Sequence, residues 1–218
     1  MSRKKTEYLQ AGGAEQGTVC IQGETVKKVD HFKYLGAVVS ADGSCEEEVR
    51  RRVQAGWQSW RRTSGVLCDR KLSARLKGKI YKCVVRPAML YGMETVAVTE
   101  RMEKKMETAE LKMVRWALGV TLKDRVRNEY IWGTAKIRRI GEKLRGERLR
   151  WFGHVKRREE SYIGRRMMRI EIPGKRRRGR PRRRWNDNIK EDMKKTGVRE
   201  EEAEDRERWR TATRCCDP

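Results

Sequence analysis

The sequence predicts a mostly α-helical protein with a small β segment at its N-terminus and a basic extended arm towards its C-terminus. Three observations carry this expectation. From residue 44 to about residue 158, apolar residues recur at three- and four-residue spacing, the period that gathers them on one helix face. Short β-branched and aromatic runs punctuated by glycine are confined to residues 1–43. Residues 173–184 consist of Pro, Gly, Lys and Arg alone and have nothing to bury.

Thr18–Ile21 and Glu24–Val26 flank Gly23 and suit a short hairpin. Phe32, Tyr34 and Leu35 lead into Val38–Val39, and Ala41-Asp42-Gly43 is a turn signal. Ser44 with Glu47 three residues later predicts a capping box at the start of the first helix. Val49, Val53, Trp57 and Trp60 then form an inner stripe, with Arg50, Arg51, Arg52, Arg61 and Arg62 outside. A second helix starts at Ser73 with Leu76, Ile80 and Val84 inward, and Pro87 disturbs its end. A third runs from about Glu100 to Leu118, with Met102, Met106, Ala109, Met113 and Ala117 on one side and Gly119 as its stop. Asn128 suits the cap of a short helix through Ile131 and Trp132. A helix from about Lys136 to Arg158 turns Ile137, Ile140, Leu144, Trp151 and Val155 inward, and two short helices close the chain near 183–196 and 199–212. Trp57, Trp116, Trp132 and Trp151 are assigned to the core by their place on these stripes.

Charge points to the partner. The chain has 218 residues, with 55 Lys and Arg against 31 Asp and Glu, a formal net charge of +24. Such an excess attracts polyanions, and RNA, DNA or both are the expected partners. The excess is uneven: residues 136–185 hold 21 basic and 5 acidic side chains, whereas residues 186–218 hold 8 and 10. An anionic membrane surface is the alternative polyanion; no stretch approaches the 18 apolar residues of a membrane span, so no transmembrane helix is expected, and the partner expectation includes neither a membrane nor a small-molecule substrate.

Catalytic machinery is not visible. Two-metal nucleotidyl transfer needs paired carboxylates, and the sequence has no Asp-Asp step. Asp187 with Asp192 is the nearest substitute and reads as a solvated face. There is no glycine-rich phosphate loop, no C-x-x-C pair among the six cysteines, and only His31 and His154. No cofactor and no metal are expected. His154 reads as packed or phosphate-facing.

The arm is the most specific motif. In Arg178-Gly179-Arg180-Pro181, glycine allows close backbone approach and proline keeps the chain extended, so the arginines can spread along a narrow minor groove. This core resembles an AT-hook. The same cluster, residues 175–184, also reads as a nonspecific polybasic segment and as a nuclear-import signal, which gives a nuclear expectation.

Several segments in order then resemble one family. They are Lys4-Lys5-Thr6-Glu7; Asp30-His31-Phe32-Lys33-Tyr34-Leu35-Gly36 with Val39 and Asp42-Gly43; Arg86-Pro87 with Leu90-Tyr91-Gly92-Met93-Glu94-Thr95; Asp124-Arg125-Val126-Arg127-Asn128-Glu129; Trp151-Phe152-Gly153-His154-Val155; Gly179-Arg180-Pro181 with Arg184-Trp185; and Asp205-Arg206-Glu207-Arg208-Trp209. Together they resemble the C-terminal part, thumb and C-terminal extension, of a non-LTR (LINE-type, RTE-like) retrotransposon reverse transcriptase. Val96 and Asn186-Asp187-Asn188 depart from that pattern, which usually has Trp at the first position and a more acidic segment at the second.

The resemblance implies that residues 1–43 are a β-rich palm remnant, 44–172 a helical thumb-like region, 173–184 the basic arm and 185–218 a helical tail. It also implies that the catalytic aspartates and the endonuclease domain are absent. The expected function is a non-catalytic fragment that grips template–primer or element RNA, with a separate polymerase palm chain as a candidate partner. A host-adopted AT-hook-like chromatin protein is the alternative. Arg138, Arg139, Lys143, Arg145, Arg148 and Arg150 are the candidate phosphate contacts. Lys175, Arg176, Arg177, Arg178, Gly179, Arg180, Pro181, Arg182, Arg183 and Arg184 are the candidate groove contacts. Exposed Trp and Arg could stack on unpaired bases.

Overall fold

The computed structural model describes residues 6–10, 17–170, 182–215 and 217, and is mostly helical with short N-terminal strands. The chain divides into two compact units, residues 1–52 and 53–218.

Among its described residues, the first unit holds two hairpins. Cys20–Ile21 (β2) pairs antiparallel with Glu24–Thr25 (β3) around Gln22 and Gly23, both at positive φ (53° and 83°), as a tight two-residue turn requires. His31–Tyr34 (β5) pairs with Ala37–Ser40 (β6) through Leu35 and Gly36, again both at positive φ (46° and 84°). The glycine in each turn adopts that backbone without a Cβ clash. Glu7–Tyr8 (β1) adds a parallel pairing to Lys27–Lys28 (β4).

Glu46–Leu67 (α1) begins in this unit and continues into the second. The expected capping box does not form. The Glu46 amide donates to Ser44 Oγ at 3.3 Å, but Glu47 turns its carboxylate to Arg50, 2.7 Å away. Arg52, read as outward, is buried. Its Nε donates to Glu48 Oε1 at 2.6 Å, its Nη2 donates to the Gly36 carbonyl, and Glu48 Oε2 accepts from the Val38 amide at 2.7 Å. This pair staples the second hairpin to the first turns of α1.

In the second unit, Ala74–Ile80 (α2) starts on Ser73, whose side chain accepts from the Leu76 amide. Its inner face is not the expected one. Leu76 and Val84 are exposed, while Lys77, Gly78, Tyr81 and Val85 are buried. The buried set runs one residue behind the expected one from Lys77 onward, because Gly78 packs on Ala135 and Lys77 reaches the Ala117 carbonyl; a π-turn over Tyr81–Val85 then leads into Arg86–Leu90 (α3). Pro87 lies in the first turn of α3, where no amide is needed, so the chain stays helical through it. A Cβ at Gly78 would collide with the Ala135 carbonyl, which fixes how closely α2 meets Asn128–Ala135 (α5).

Glu100–Leu118 (α4) has the expected bounds and the expected inner face, ending at Gly119 with φ 70°. Buried Lys77 donates to its terminal Ala117 carbonyl at 2.6 Å, a cation on the negative helix end. Asn128 does not cap α5. Arg127 takes that place, and Asn128 Oδ1 accepts from Arg115 at 2.9 Å. Lys136, at φ 53°, ends α5, so Ile140–Lys156 (α6) starts four residues later than expected.

Ile163–Met168 (α7), Trp185–Thr196 (α8) and Arg206–Ala212 (α9) follow. A second core forms where α6, α8 and α9 meet: Leu149, Phe152, Ile189, Val198, Ala203 and Trp209. Among the described residues, no helix is long and apolar enough to cross a membrane.

Candidate nucleic-acid interface

The arginine-rich helix α6 is a central strut packed by α4, α8 and α9. Nine of its residues are buried, including Gly141, Gly146 and Gly153, where small side chains let neighbours close in. Its cations are accordingly tied down from within. Arg148, 2 % exposed, donates from Nε and Nη2 to the two oxygens of Asp192 at 2.7 and 3.0 Å. Arg148 therefore leaves the set of phosphate contacts, because no phosphate reaches it without opening the core. Asp192, read as part of a solvated face, is the buried partner.

Arg145 lies 3.6 Å from the same carboxylate. Lys143 donates to the Cys215 carbonyl at 2.6 Å. Arg138 pairs with Glu142 at 3.3 Å and is exposed. Arg139 pairs with Glu129 at 3.0 Å and covers the Trp132 ring at 4.5 Å, so its guanidinium is held in place with one face engaged. Arg150 is exposed.

A second buried charge cluster sits at the start of α6. Glu110, fully buried on α4, accepts from Arg86 Nη2 at 2.9 Å, Tyr81 Oη at 3.0 Å and the Ile140 amide at 2.8 Å. Arg86 also donates to Asp217 Oδ1 at 2.8 Å. Burial works against the Arg86 charge, but Glu110, Tyr81 and Asp217 outweigh it and hold the guanidinium above its ordinary pKa. Asp217 accepts from the Arg138 amide as well, at 2.8 Å. This cluster binds α3, α4, α6 and the C-terminal segment into one frame.

Of the arm, Lys175, Arg176, Arg177, Arg178, Gly179, Arg180 and Pro181 lie outside the described residues. Arg182 and Arg184 are exposed. Arg183 is half-buried and pairs with Glu191. Beside Arg148 and Arg183 lies a cleft of about 160 Å³ whose lining includes Glu100, Glu103, Glu107 and Glu191. Burial and the neighbouring Glu103 push the Glu107 carboxyl above its usual range. This acidic rim faces any polyanion approaching Arg183 from that side. Asp187 accepts from the Arg184 amide at 2.8 Å and serves as a helix cap.

The aromatic residues divide. Trp132 is buried as expected. Trp57 and Trp151 are half-buried, and Trp151 stacks on His154 with centroids 5.3 Å apart. Trp116, assigned to the core by its spacing, is 63 % exposed. Its ring makes edge contacts with Trp57 and Trp60 at 6.1 and 5.4 Å. Helical period alone did not reveal this, because Met113 and Ala117 beside it already fill the inner face.

The recurrent segments read in the sequence hold the frame. Arg86 anchors the buried cluster, and Asp124 accepts from the Thr121 amide at 2.6 Å. Trp185 Nε1 donates to the Glu94 carbonyl at 2.8 Å, and Trp209 Nε1 to that of Leu149 at 2.8 Å. A Cβ at Gly153 would meet the Trp209 indole.

Comparison with known proteins agrees on the origin of this frame. The chain is 25% identical over 139 residues to a transposon-derived uncharacterised protein of Caenorhabditis elegans, covering 61% of this chain and 48% of that protein. It is 29% identical over 133 residues to the RNA-directed DNA polymerase from the mobile element jockey of Drosophila funebris, covering 58% of this chain and 14% of the polymerase. The protein is retrotransposon-related. The matched region is less than half of either relative. No family model and no solved structure matches.

Proposed function

We propose that the protein is a non-catalytic nucleic-acid-binding fragment of a retrotransposon reverse transcriptase, corresponding to its thumb and C-terminal extension. One observation carries the reading. Carboxylates such as Glu48, Glu110 and Asp192 are engaged in internal pairs, so among the described residues the excess of basic charge is carried mainly by side chains that face solvent. Such a surface binds phosphate backbones by counterion release, with affinity and little sequence choice. Among the described residues, Arg138, Arg139, Arg150, Arg182 and Arg184 are the exposed or rim cations that remain from the sequence reading, and the last two belong to the arm itself. The basic cluster at 175–184 also suits a nuclear protein. A polymerase palm on a separate chain is compatible with this role.

The test is binding of the purified protein to an A·T-rich duplex, a G·C-rich duplex and a single-stranded RNA across a salt series. The expected result is a steep log–log slope, about −0.9 per phosphate contact on B-DNA. A preference for the A·T duplex of about 1 kcal/mol or more that survives high salt would instead favour minor-groove reading by the arm. Absence of salt-sensitive binding would reject the proposal.

A further inference from the structure

The outer face of α4 carries a feature that the arginine-rich segments do not. Arg101, Lys105, Thr108, Lys112 and Trp116 are all exposed. At the helical period they fall within a sector of about 80° and run about 22 Å along the helix. The stripe carries three cations and no carboxylate, and among the described residues none of the three is ion-paired. Its far end is Trp116, braced edge-on by Trp57 and Trp60 of α1. Arg61, also exposed, follows Trp57 by one helical turn and so flanks the same aromatic cluster.

Resting on the nucleic-acid reading above, we infer that this stripe is a single-strand site: Arg101, Lys105, Lys112 and Arg61 hold phosphates, and an unpaired base stacks on the open face of Trp116. The chemistry selects this occupant. An indole 63 % exposed yet fixed by two ring contacts offers a π-face at little entropic cost. Cations lined up beside it complement a charged backbone, whereas a purely apolar partner would leave three ammonium or guanidinium groups uncompensated. A base within a duplex presents no free face, so the site favours single strands. Aromatic platforms beside cationic tracks bind them without needing a particular sequence.

The experiment is fluorescence anisotropy with a labelled 15-nucleotide oligo-U and oligo-dT, alongside a blunt duplex, on the full chain. Trp116→Leu keeps apolar bulk over Trp57 and Trp60 but removes the π-face. It is expected to weaken single-strand binding about 5- to 150-fold, since a stacked base contributes about 1–3 kcal/mol. Duplex binding stays within about twofold. Trp116→Phe retains most of the affinity. Arg101→Ala with Lys105→Ala and Lys112→Ala reduces the single-strand salt slope by about 2, at about 0.7 per phosphate.

Single-strand affinity unchanged in Trp116→Leu overturns the site while leaving the nucleic-acid reading standing. Equal losses for single strand and duplex overturn it too. So does a change of oligomeric state in Trp116→Leu with binding intact, which would make this face a contact between copies. Failure of the parent protein to bind any of the three ligands overturns both.

Discussion

Asp192→Ala is the sharpest perturbation of this fold. The substitution leaves Arg148 charged, 2 % exposed and without the bidentate partner that its Nε and Nη2 now have. Arg145, 3.6 Å from the same carboxylate, loses its counter-charge as well. Removing one member of a buried ion pair costs about 3–5 kcal/mol, because the remaining charge has no solvent and no partner. A domain of 150–250 residues shifts by about 2–4 °C per kcal/mol, so the melting temperature should fall by roughly 6–20 °C. Circular dichroism melts and urea titration read this directly. Arg148→Met with Asp192→Leu fills the same volume without charge and should recover most of the loss or exceed the parent. The double variant should also bind DNA with an unchanged salt slope, since Arg148 touches no phosphate. A melting temperature of Asp192→Ala within about 1 °C of the parent would refute the buried pair. A slope shallower by about 0.9 in the double variant would refute its purely structural role.

Gly153→Ala places a methyl against the Trp209 indole and should destabilise by about 1–3 kcal/mol, read by thermal melting. Trp209→Ala empties the centre of the α6–α8–α9 core and should cost about 3–5 kcal/mol; a loss under 1 kcal/mol would show that this core is not a packing centre. Asp217→Asn tests the anchored C-terminal segment. Burial pushes the Asp217 carboxyl up, but the Arg138 amide and the Arg86 guanidinium outweigh it and leave it below the usual aspartate value. A carboxylate depressed in the fold contributes its stability above the unfolded pKa of about 3.9, and the contribution fades as pH falls through the lower folded value. Asp217→Asn should therefore melt below the parent at pH 7, with the gap closing below about pH 4; a gap constant down to about pH 2 would contradict this.

Much of the helical frame was legible because its signals are local. The bounds of α4 follow from its apolar period and from Gly119, and both lie within the helix itself. The turn at Gly23 was legible for the same reason. What failed was set by partners distant in sequence. Arg148 looks like a solvated cation until Asp192, 44 residues away, arrives beside it. Lys77 looks outward until the end of α4, 40 residues on, presents it a carbonyl. The inner face of α2 is set the same way, by Gly78 against the Ala135 carbonyl of α5, and the apolar period within α2 does not announce that contact. Trp116 sits on an apolar stripe yet is exposed, because position on a stripe says nothing about whether a neighbouring element reaches that far.

The same logic separates frame from surface in the binding role. A segment such as Trp151-Phe152-Gly153-His154-Val155 is recognisable because each position answers to a contact: Phe152 and Val155 are buried, Gly153 lies under Trp209, and Trp151 stacks on His154. Those contacts explain why the chain folds, and none of them points at a phosphate. Counting arginines on α6 therefore overestimates its binding face, since the more central a basic helix is, the more of its charge must be neutralised from within. A polyanion meets instead the cations that the frame leaves outside. On α4 these are spaced by the helical period on the face opposite Met106 and Met113, so the packing that buries the methionines also lines up Arg101, Lys105 and Lys112 with Trp116. The geometry of that outer stripe is thus a by-product of the core, which is why substitutions on it should change binding and leave the melting temperature nearly untouched, while substitutions at Arg148 or Trp209 should do the reverse.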